Sequence, residues 1–108
     1  MANVGEIVDL KAWKNTMPMA TPSLHVTGLV WAPTPCHDVI ATHTGDTKSN
    51  PPTYLLRVDL HQQPKICIQM LSMVRFHYIE NNYAGNHDKI SVSGPNGHGA
   101  TAAIDTVS

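Results

Sequence analysis

Apolar and polar residues alternate in several short runs along this chain. The clearest is "TYLLRVDLH", residues 53–61, where Tyr54, Leu56, Val58 and Leu60 share one face and Arg57, Asp59 and His61 share the other. That is the signature of a half-buried β-strand. "LHVTGLVWAPTPCHDVIATHT" predicts a hairpin, with strands 24–31 and 36–43 joined by "APTP". In a four-residue loop Trp31 faces Cys36. One face then carries Leu24, Val26, Gly28, Val30, His37, Val39, Ala41 and His43, and the other carries His25, Thr27, Leu29, Trp31, Cys36, Asp38, Ile40 and Thr42.

"QQP" reads as a turn that returns "KICIQMLSM" against 54–60, so that Leu60 meets Ile66, Val58 meets Ile68 and Leu56 meets Met70. All three inner positions would find apolar partners, which is what sets a strand register. The span 66–80 is long for one strand. Ile66, Met70, Val74 and Tyr78 also fit a helix, but the β-branched and aromatic content favours strand, with a bend near Ser72 passing the chain to a second sheet. Val74, Phe76 and Tyr78 would then face in, and Arg75 and His77 out. "KISVS" is a further strand with Ile90 and Val92 inward, "GPNGHGA" a turn-rich connection, and "TAAIDTV" a last strand. The first segment, "EIVDLKAWKNTM", is ambiguous: Leu10, Trp13 and Met17 recur at helical spacing and Pro18 would end the helix, whereas "EIVDL" alternates as a strand does. A short N-terminal helix or extended arm that packs Trp13 on the core is expected.

Prolines at 18, 22, 33, 35, 51, 52, 64 and 95 punctuate these segments. Six or seven short strands bounded by turn residues predict an all-β fold, a two-sheet antiparallel β-sandwich filling residues 1–108 as a single domain. Hydrophobic residues make up 42% of the chain, enough for a core, and charged residues only 14%. Seven Lys+Arg against eight Asp+Glu create no field that would draw in nucleic acid or an anionic membrane, so neither is expected as a partner. The amino terminus has no basic and apolar regions of a secretory signal, and no apolar run reaches the roughly 20 residues of a membrane-spanning helix. A soluble, cytoplasmic protein is the expectation. In that setting Cys36 and Cys67 would be reduced and partly buried; a disulfide requires that their strands lie side by side.

The histidines invite a metal reading. His37 and His43 share a face but lie six residues apart on one predicted strand, roughly 20 Å at about 3.3 Å per residue. Two ligands of one zinc ion must each approach to about 2.1 Å. His25 and Cys36 fall on the opposite face, and no C-x-x-C, H-x-x-x-H or H-E-x-x-H pattern occurs. No metal or cofactor is therefore expected, apart from a site built across distant strands, for example His61 with His77. Cys36 and His37 point to opposite faces as strand neighbours, so His37 cannot serve Cys36 as a base. There is no G-x-S-x-G elbow, no evident carboxylate pair of the glycosidase kind, and "SGPNGHG" lacks the lysine and following helix of a phosphate loop. More telling are the apolar residues on the predicted outer faces, Leu29, Trp31, Ile40, Leu55 and Leu71. They are candidates for an interface, covered by the N-terminal arm or by a second copy in a homodimer.

"LHVTGLVWAPTP" followed by "NPPTYLLRVDL", with "AW" and "MP" upstream, resembles a group of small uncharacterised bacterial proteins with an immunoglobulin-like, Greek-key β-sandwich. The likeness spans residues 12 to 92. Cys36 departs from it, standing where a turn residue, often glycine, would be, and the tail from Pro95 lies beyond it. The resemblance implies a fold and carries no functional residues. The reading that follows is a small non-catalytic binding or protein-interaction module, with a histidine-based metal-binding protein and a small hydrolase as alternatives.

Overall fold

A computed structural model describes residues 3–16, 21–49, 51–83, 85 and 87–107. It holds seven strands: β1 (Ile7–Asn15), β2 (Ser23–Ala32), β3 (His37–Asp46), β4 (Thr53–Gln62), β5 (Ser72–Asn81), β6 (Lys89–Ser93) and β7 (Gly99–Val107). The fold is all-β as expected. Among the described residues the one helical element is a single 3-10 turn at Pro95–Gly97, and no helix is long and apolar enough to cross a membrane.

The strands do not divide into two separate sheets. They form one sheet in the order β3-β4-β6-β7-β1-β2-β5. The continuity comes from β7, which pairs with β6 through Gly99–Ala103 and then runs parallel to β1 through Ile104–Val107. The sheet curls until its two edges, β3 and β5, confront one another, with His43 Nδ1 3.8 Å from Glu80 Oε1. The result is a nearly closed barrel rather than the expected sandwich.

The inward faces follow the alternation of the sequence. Leu24, Val26 and Val30 on β2, Tyr54, Leu56 and Val58 on β4, and Ile90 and Val92 on β6 are buried in one core with Phe76 of β5. Burying each such side chain contributes about 1.5–3 kcal/mol. Strand neighbours differ from expectation. β2 does not pair with β3; it lies between β1 and β5, whereas β3 pairs with β4. Leu60, Val58 and Leu56 therefore meet Val39, Ala41 and His43, not Ile66, Ile68 and Met70. Residues 66–71 form no strand, and β5 begins at Ser72, where the bend was expected.

No N-terminal helix forms. The segment is β1, and a β-bulge explains its mixed pattern. Register shifts between Val8 and Lys11, with Asp9 at φ 58°. The extra residue breaks the two-residue period. Leu10 then packs against the core while Trp13 lies on the outer face beside His25, so the helical spacing of the two is a product of the bulge. Met17 and Pro18, which completed that helical reading, lie outside the described residues.

Cys36 and Cys67 are not reduced; they form a disulfide with a Cα–Cα distance of 6.2 Å. It ties the β2–β3 connection to the segment between β4 and β5, where the Gln63 N–H also donates to the Cys36 carbonyl at 2.9 Å. The bond needs no paired strands, only two connections at the same end of the barrel.

Two outcomes follow. Replacing both cysteines by serine frees a loop whose ends are 31 residues apart, which lowers unfolding stability by about 3–4 kcal/mol in urea titration. A Cβ on Gly28 would lie 2.8 Å from the Phe76 ring, so Gly28→Ala destabilises by about 1–3 kcal/mol, and adding Phe76→Leu recovers part of the loss.

Candidate binding surface

On β2 the even-numbered residues from Leu24 to Ala32 go into the core, which turns His25, Thr27, Leu29 and Trp31 outward. Antiparallel pairing sets Ile79, His77, Arg75 and Met73 of β5 beside them in that order. On the other side, Trp13 of β1 stands beside His25 and Lys11 beside Thr27. This outer face holds a hollow of roughly 290 Å³ lined by Asp9, Lys11, Trp13, Thr27, Leu29 and Arg75, floored by the bare backbone of Gly28. A second hollow of roughly 460 Å³, over β1 and β7, also touches Lys11 and Trp13 and reaches Ala103, Asp105 and Val107. Trp13 and Lys11 are the ridge between the two.

Trp13 is held in place by its neighbours. It stacks on His25 with ring centroids 5.2 Å apart and planes within 5°. His25 Nδ1 lies 3.2 Å from His77 Nε2, and its Nε2 lies 2.9 Å from the Ser23 hydroxyl. Burial, with the charge of His77 adding to it, holds the His25 pKa below the usual imidazole value.

Of the five apolar residues expected at an interface, Leu29 and Trp31 lie on this face, both half-buried, with Trp31 beside Met73. Leu71 is exposed just before β5. Ile40 is 51% exposed on β3 opposite Asp59, and half-buried Leu55 lies on β4 between Gly45 and Ser91, both on the other half of the sheet. The histidines scatter in part. His37 Nδ1 bonds the Thr34 hydroxyl at 2.8 Å, His43 lies at the far end of β3, and His61 pairs opposite Asp38 rather than approaching His77. The His25–His77 meeting was missed because it depends on the β2–β5 pairing, between strands 40 or more residues apart that no turn signal links. Among the described residues no group of three or more His, Cys, Asp or Glu is arranged to hold a metal ion.

A second polar group spans the seam between β3 and β5. Buried Tyr54 donates its hydroxyl proton to Glu80 Oε1 at 2.6 Å and lies 3.0 Å from the Tyr78 hydroxyl. His43 stacks on the Tyr54 ring at 3.9 Å and places Nε2 3.2 Å from Asp46 Oδ1. His87, also buried, has Nδ1 2.6 Å from the Tyr83 hydroxyl and Nε2 2.9 Å from the same Asp46 oxygen. That last contact is close, but Nε2 finds no aligned hydrogen-bond partner, and the pair becomes an ionic one only when His87 carries a proton on both nitrogens. Burial pushes the Tyr54 pKa far up, and the bond to Glu80 adds to it; burial also raises Tyr83. These phenols stay protonated and serve as hydrogen-bond donors. Neither hollow is lined by these side chains, and the group acts as a clasp.

The clasp has a pH signature. Burial raises the Asp46 pKa, but the hydrogen bond from His43 and the charge of His87 outweigh it, leaving the carboxyl below its ordinary 3.8. A depressed folded-state pKa contributes stability that is present above the unfolded value and lost as pH falls through the folded one. Thermal midpoints measured below pH 4 should therefore fall with pH, and Asp46→Asn should flatten that limb. Tyr54→Phe should cost about 1–2 kcal/mol at neutral pH by removing the hydroxyl from Glu80.

No family model, no curated protein and no solved structure matches the chain.

Proposed function

We propose that this chain is a small non-catalytic binding module. Its outer face across β5, β2, β1 and β7 takes an extended segment of a protein partner that carries a large apolar or aromatic side chain. The observation that carries this reading is Trp13, pinned against His25 as a ridge with a hollow on either side. A rigid aromatic flanked by concavities offers contact area with little ordering cost, which is how interface anchors act. Leu29 adds apolar lining, and Asp9, Lys11 and Arg75 around the first hollow supply the polar contacts that fix orientation.

A second copy of the chain is the other occupant supported by a specific observation. Ile66 is 103%, Ile68 66% and Met70 55% exposed on the segment before β5, and a homodimer would cover them.

The relation to immunoglobulin-like, Greek-key proteins also belongs to this proposal. Its support is that β2 to β3, β4 to β5 and β5 to β6 each join strands that are not neighbours, so the chain crosses repeatedly between the two halves of the sheet. The disulfide supports an oxidising setting in place of the cytoplasmic one expected from the sequence.

Selection of displayed random peptides on the immobilised protein tests the main reading. Peptides with a recurrent apolar or aromatic position should be enriched, and Trp13→Ala and Leu29→Glu should each abolish their binding. An enrichment that survives both substitutions, or none on the parent protein, ends it. Sedimentation equilibrium tests the second: a dimer dispersed by Ile66→Glu with Ile68→Glu supports it, and a monomer at high concentration removes it.

A further inference from the structure

His25 and His77 come from strands that the sequence separates by 40 residues or more, and they meet diagonally, since His25 pairs with Ile79 and His77 with Thr27. His25 Nδ1 and His77 Nε2 are 3.2 Å apart. Two imidazole nitrogens at that separation either share one proton or direct both lone pairs at one cation. Nitrogens each about 2.0–2.1 Å from a single ion lie about 2.9–3.4 Å apart when the angle at the ion is octahedral to tetrahedral. The observed separation falls inside that interval. We propose that His25 Nδ1 and His77 Nε2 form a two-nitrogen site for a divalent transition-metal ion of imidazole preference, with copper(II) bound most tightly.

The surroundings suit this role. The Ser23 hydroxyl, 2.9 Å from His25 Nε2, is placed to accept from Nε2–H when the ring takes the tautomer whose lone pair is on Nδ1. Trp13, stacked on the His25 ring, fixes its plane, so the rotamer needs no ordering when an ion arrives. His77 is exposed, leaving water to fill the remaining positions of the ion. With two protein ligands instead of three, the order of affinities follows the general preference of nitrogen ligands, copper(II) above nickel(II) and zinc(II). The proposal does not depend on the peptide-docking reading, although His25 also supports Trp13 there, and its test uses no partner.

The experiment is a copper(II) titration of tag-free, disulfide-intact protein at pH 7.4, followed by tryptophan fluorescence and by electron paramagnetic resonance. One equivalent should quench the emission saturably, because Trp13 lies against His25, and the resonance should show nitrogen coupling. His25→Gln and His77→Gln should each weaken the affinity by on the order of tenfold or more, and His61→Gln and His98→Gln should leave it unchanged. Affinity that is unmoved by His25→Gln and His77→Gln, or lost in His61→Gln or His98→Gln, overturns the assignment. Should a variant not fold, long-range nitrogen–proton spectra of the parent protein with zinc(II) decide: shifts at His25 Nδ1 and His77 Nε2 support the site, and unshifted resonances reject it.

Discussion

The fold depends on keeping two bare strand edges together. A single curled sheet ends in β3 on one side and β5 on the other. Such edges expose unpaired N–H and C=O groups that invite pairing with other chains. Among the described residues no backbone ladder joins them. Side chains close the gap: Tyr54 reaches from β4 to Glu80 and Tyr78 on β5, and His43 on β3 lies over the Tyr54 ring. Loops extend the clasp, since Asp46 ends β3 and His87 comes from the connection before β6. If this seam opened, the aliphatic faces of β2 and β4 would lose their cover. The polar clasp is therefore what lets one sheet enclose a core.

Closure also determines what the rest of the surface can do. Once Leu24, Val26, Val30 and Phe76 fill the interior, every odd-numbered residue of β2 must face outward. The bulge at Asp9 lets β1 bury both Ile7 and Ala12 although they stand five positions apart, an odd interval that strict alternation would send to opposite faces. It is also what puts Asp9, Lys11 and Trp13 around one hollow. A defect in strand regularity thus positions the candidate surface, as is common where sheets bind ligands.

What was legible in the sequence was the face of each residue. The inward sets on β2, β4, β5 and β6 all follow from alternation, and the buried Tyr54, Leu56 and Val58 stand where the pattern put them. Alternation says nothing about neighbours. The hairpins expected from "APTP" and "QQP" are crossovers: although 66–70 offered three apolar partners for Leu56, Val58 and Leu60, tertiary packing chose Val39, Ala41 and His43 of β3. The bulge hid β1 behind a helical spacing. The cysteines read as reduced because a cytoplasmic setting was expected, and the disulfide joins two connections instead of the side-by-side strands that such a bond was expected to need. The His25–His77 pair and the Trp13 ridge were beyond reach for the same reason: both depend on which strands flank β2, and no local signal encodes that.

The segment from Ile66 to Leu71 poses the remaining physical question. Water-exposed Ile66, Ile68 and Met70 are costly in a connection with no strand partner. A connection that long would ordinarily fold its apolar side chains inward or sample many conformations. The Cys36–Cys67 bond restricts both, because it fixes the middle of the segment to the β2–β3 connection while β4 and β5 hold its ends. The cysteines are themselves half-buried, so the bond does little for the core directly. Its main local consequence is to hold the middle of this apolar segment at the β2–β3 connection before any contact forms. Such a tether lowers the ordering cost of any contact the segment makes, and it ties the presentation of this strip to the oxidation state of two sulfurs.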